Sequence, residues 1–97
     1  MSEEKAYQLD AEEANFARIV SLEITTIQLM RELLLSRPVN ERSFLLEKLK
    51  RESNYINNHL NQSGSGRDLA WKSEMSDTFA LIYNAAAAEV DFGADKS

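Results

Sequence analysis

Ninety-seven residues without a cysteine restrict the chain to one domain and exclude disulfides, thiolate metal sites and a cysteine nucleophile. A formal charge of −5, from 16 acidic and 11 basic residues, argues against a broadly basic nucleic-acid surface while leaving room for a local one. The opening MSEEKAYQLD lacks a basic start followed by an apolar run, so no secretory signal is expected and a cytoplasmic location is the default.

Residues 1–10 read as a flexible lead into a single helical domain over 11–92, and 93–97 as a tail. Asp10 is the expected N-cap of helix 1, with Glu13 completing an Asp-x-x-Glu variant of the capping box. The run that follows contains β-branched pairs, Ile19-Val20 and Ile24-Thr25-Thr26-Ile27, that would also suit a strand. Its length decides for a helix over 11–36, stopped by Pro38. Glu23 and Arg31 exclude a membrane span.

Two apolar rows run along this helix. Phe16, Val20, Ile27, Met30 and Leu34 form one, and Ile19, Leu22, Thr26, Leu29 and Leu33 the other. The polar remainder is the narrow line Arg18, Ser21, Thr25, Gln28 and Glu32. An apolar face this wide exceeds what one neighbouring helix covers, so a homodimer is expected, with Phe16, Ile19, Val20, Ile27, Met30, Leu33 and Leu34 at its core.

Asn40 is the expected cap of helix 2, over 41–60, which folds back on helix 1 as an antiparallel hairpin. Leu45, Leu46, Leu49, Ile56 and Leu60 describe its inner face, with Ser53 beneath and Phe44 and Tyr55 on a flank. The stretch Asn61-Gln62-Ser63-Gly64-Ser65-Gly66 has the composition of a linker, and a flexible loop is expected over 61–67. Helix 3 is expected over 68–90, with Trp71, Met75, Phe79, Ile82, Ala86 and Val90 on its inner face and Ala85-Ala86-Ala87-Ala88 as a place for close helix approach. The fold class is thus all-α: a long first helix, a helical hairpin and a C-terminal helix, completed as a dimeric bundle.

Chemistry is harder to find than helices. Glu23, Glu52 and His59 would make a weak metal or acid–base site if they converged across the hairpin, but structural polar contacts are the simpler reading. Ser53 or Ser63 with His59 and an acid lacks any restrictive catalytic motif. No cofactor and no enzymatic activity are expected. Arg42, Lys48 and Arg51 on helix 2 are candidates for contact with an acidic protein or with phosphate. Trp71, Phe79 and Tyr83 are candidate apolar anchors. The leading reading is a small regulatory or adaptor protein acting through protein–protein contact and oligomerisation. A nucleic-acid-associated regulator using helix 2 and a structural assembly component are the alternatives.

Overall fold

A computed structural model describes residues 8–93 as three α-helices, with no strand among the described residues. They are α1 (Ala11–Leu35), α2 (Val39–Leu60) and α3 (Gly66–Ala87). The fold is all-α, as the periodicity implies.

α1 begins where the capping box places it. The Asp10 carboxylate accepts from the Glu13 N–H at 2.8 Å, and the Glu13 carboxylate accepts from the Asp10 N–H at 3.3 Å, so two orphan donors of the first turn are satisfied reciprocally. The turn into α2 departs from expectation. Pro38, not Asn40, is the N-cap, and no side chain caps this helix. Proline suits the position because its φ of −56° is already near the helical value and it has no N–H. Arg42 organises the turn instead: its guanidinium donates to the carbonyls of Arg37 (3.0 Å), Leu35 (3.2 Å) and Asp91 (2.9 Å).

α3 starts two residues before the expected Asp68 and stops at Ala87, short of Val90. Ser65 fixes the start by accepting from the Asp68 N–H. At the other end Glu89 adopts φ 67°, a left-handed conformation that turns the chain out of the helix. The turn lets Val90 enter the core and Phe92 pack against it. Gly93, at φ 85°, passes so close to Val39 that an added Cβ would lie 3.1 Å from its side chain.

The core is small and sits at one end. Leu34, Leu46, Tyr83 and Val90 are its buried members, with Met30, Leu45, Leu49, Phe79, Ala87 and Phe92 packed around them. All come from the last turns of α1, the first half of α2 and the end of α3 with its trailing segment. The expected α1–α2 hairpin is not the principal pairing. α1 packs chiefly on α3, and α2 runs antiparallel to α3, with Leu49 and Ser53 at Tyr83 and Asn57 at Lys72 and Ser76. One reason is Arg31, whose guanidinium donates to the carbonyls of Ala85 (2.7 Å) and Ala86 (3.4 Å) at the C-terminal end of α3, where a cation is favoured. Ala86, wholly buried, allows the close approach expected of the alanine run.

Candidate interaction surfaces

The stripe of α1 turned inward is Val20, Glu23, Ile27, Met30 and Leu34. Its spacing of three and four residues is that of a single helix–helix contact. Leu34 is fully buried and Met30 packs on the core, so these two members of the expected dimer core are used within the chain. Val20 and Ile27 are half-buried on the same stripe. The neighbouring row is not covered. Leu22 is 64% and Leu29 66% exposed, with Ile19 and Leu33 exposed beside them, while Phe16, at the outer end of the inward row, is 69% exposed. Leu22 and Leu29 therefore join Ile19 and Leu33 as the free apolar face.

The α2–α3 seam corrects the reading of α2. Ile56 and Leu60, expected inside, are exposed, while Asn57 is 2% exposed and Asn61 is buried. The inner face continues from Leu46 and Leu49 through Ser53 to Asn57 and Asn61 rather than swinging to the apolar side chains. These asparagines form a connected set. The Asn57 amide donates to the Lys72 carbonyl at 3.0 Å and to the Ser76 hydroxyl at 3.4 Å, and the Asn61 amide donates to the Asn57 side-chain oxygen at 2.7 Å. Burial of such amides is tolerable because their donors are satisfied. Above them Ser53 donates to the Tyr83 hydroxyl, which donates to the Leu49 carbonyl at 3.2 Å.

That network removes Tyr83 from the anchor candidates, because its ring is in the core and its hydroxyl is engaged. Phe79 is half-buried against the same core. Trp71 is more than half exposed and stays available. Of the basic candidates, Arg42 is committed to the α1–α2 turn. Lys48 lies 3.2 Å from Glu52, and Lys50 lies 3.8 Å from Glu47. Arg51 is exposed with no ion pair to another described residue. Helix-spaced ion pairs interrupt the basic field that phosphate contact needs.

Glu23, Glu52 and His59 do not come together as a metal centre, since no group of three potential ligands occurs among the described residues. Glu52 is held by Lys48, and the His59 ring stacks on Tyr55 with centroids 6.3 Å apart. Ser63 donates to the Asp68 carboxylate at 2.6 Å. The Ser63 hydroxyl and its N–H hold the Asp68 carboxyl below the usual aspartate range, against a small opposing effect of burial. Lys50, Asn54, Ser76, Phe79 and Tyr83 line a groove of about 210 Å³ between α2 and α3, smaller than sites that enclose drug-sized ligands.

No protein-family model matches the chain, and neither a curated protein nor a solved structure is significantly similar to it. No described helix is long and apolar enough to cross a membrane.

Proposed function

We propose that the chain is a small regulatory or adaptor protein that self-associates through α1 and recognises a macromolecular partner with the assembled helical surface. The observation that carries this reading is the mismatch between core and surface. The accessible surface is 7305 Å², against about 5,600 Å² for a compact monomer of this mass. The excess is about twice the roughly 800 Å² that each partner contributes to a standard protein–protein interface. Ile19, Leu22, Leu29 and Leu33 lie exposed along one side of α1, and a contiguous uncovered apolar face marks an association site. Trp71 on α3 and Arg51 on α2 supply an aromatic anchor and a charge for the partner. A structural assembly component would use the same surfaces.

Sedimentation equilibrium from micromolar to submicromolar concentration tests self-association. A dimer or small closed oligomer is the expected result. A monomer that keeps its helical circular dichroism throughout that range overturns it. Affinity purification from the native host, with nuclease treatment of the eluate, tests the second half. One stoichiometric protein that survives nuclease supports the adaptor reading, and nuclease-sensitive recovery with salt-sensitive nucleic-acid binding by the pure protein replaces it.

A further inference from the structure

The free face of α1 has an internal symmetry. Ile19, Leu22, Thr26, Leu29 and Leu33 follow one another at steps of three, four, three and four, the spacing of a coiled-coil seam, and the series reads nearly the same in either direction about Thr26. The flanking polar line has the same centre. Its only charged members, Arg18 and Glu32, lie at equal distances on either side of Thr25 and are opposite in sign. Both are exposed, and neither forms an ion pair with another described residue. Among the described residues the Arg18 guanidinium reaches only the Asn15 side chain, at 3.1 Å.

We infer that the occupant of this face is α1 of a second copy, packed antiparallel about a two-fold axis near Thr25 and Thr26, with Arg18 of each chain against Glu32 of the other. The inference rests on the self-association proposed above and specifies its direction and register. An isologous contact needs a self-complementary patch, and a charge pattern that changes sign across its own centre is self-complementary only when the helices run in opposite directions. In a parallel pair Arg18 and Glu32 would lie about 21 Å apart along the axis and could not meet. The flank opposite to Arg18 and Glu32, containing Glu23 and Met30, already faces the body of the chain. A parallel pair would have to set Arg18 against that covered flank.

The seam also fits in size and polarity. Ile19, Leu22, Leu29 and Leu33 are 53%, 64%, 66% and 42% exposed along about 21 Å of helix, which is two heptads of seam against a second copy. At its centre the Thr26 hydroxyl donates to the Leu22 carbonyl at 2.7 Å. That bond leaves the threonine methyl to face its symmetry mate.

The cysteine-free sequence permits a single spin label at an Ala11→Cys variant and measurement of the inter-label distance in the dimer by double electron–electron resonance. The antiparallel arrangement places the two labels about 40 Å apart, and a parallel one places them within about 20 Å. Arg18→Glu and Glu32→Arg are each expected to weaken dimerisation about tenfold in sedimentation, because each introduces two repulsive contacts, and the double variant is expected to return it to near the original value. A dimer with the short distance overturns the antiparallel direction while leaving self-association standing, as does a double variant no tighter than the singles for the Arg18–Glu32 contact. A monomer at all concentrations overturns the inference and the self-association reading together, and gives the face to a different protein.

Discussion

Asp68 joins the loop to the third helix through one exposed carboxylate. It accepts from the Ser63 hydroxyl at 2.6 Å and from the Ser63 N–H at 3.1 Å, while its own N–H is capped by Ser65. Both bonds favour the ionised form, so the folded carboxyl titrates below the ordinary aspartate value of about 3.9. The sign follows directly: a depressed folded value gives stability that is present above the unfolded pKa and is lost as pH falls through the folded one. Carbon-detected NMR titration is expected to show the Asp68 carboxyl below the other exposed aspartates, and Ser63→Ala is expected to return it toward them. A titration unchanged by that substitution would remove Ser63 as the cause. The Ser65-x-x-Asp68 spacing was legible as a helix start, but the glycines around it read more strongly as linker than the serines did as caps.

At the scale of the element, α2 shows where apolar periodicity stops being a sufficient guide. Its first half was legible, because Leu45, Leu46 and Leu49 recur at helical spacing and pack with Leu34 and Tyr83 in the core. Its second half was not, because Ile56 and Leu60 outweigh Asn57 and Asn61 on any hydropathy count although the asparagines hold the inward register. What decides is the partner: α3 offers the Lys72 carbonyl and the Ser76 hydroxyl, which accept from the Asn57 amide and which an aliphatic side chain could not meet. Asn57→Ala is therefore expected to destabilise the fold by about 1–3 kcal/mol, since it removes three hydrogen bonds, to the Lys72 carbonyl, to the Ser76 hydroxyl and from the Asn61 amide, each contributing about 0.5–1.5 kcal/mol net. Urea unfolding followed by circular dichroism measures it, and a loss under about 0.5 kcal/mol, the range of a plain surface substitution, would place Asn57 outside the seam. On α1 the two rows, the capping box and the stop at Pro38 were all legible. Which row the chain would keep for itself was not, because the choice depends on Arg31 finding the end of α3.

The whole molecule measures 57 × 43 × 20 Å with a radius of gyration of 17.9 Å, where a compact chain of this length is expected near 12–13 Å. Its thickness is about that of two helices, so few positions have neighbours on every side, and among the described residues only Leu34, Leu46, Tyr83, Ala86 and Val90 are buried apolar residues. A core of that size offsets little of the conformational entropy of ordering three long helices. Under the self-association proposed above, association through α1 contributes to folding itself, and stability becomes a function of protein concentration. For a dimer that unfolds to two chains, a hundredfold rise in concentration adds about 2.7 kcal/mol and should raise the thermal midpoint by about 5–10 °C. Leu29→Ser is expected to lower that midpoint at fixed concentration and to leave the concentration dependence steep. A midpoint independent of concentration, together with a Leu29→Ser effect within the roughly 0.5 kcal/mol of an ordinary surface site, would mean that the single chain folds unaided and that the apolar face of α1 awaits a partner only after folding is complete.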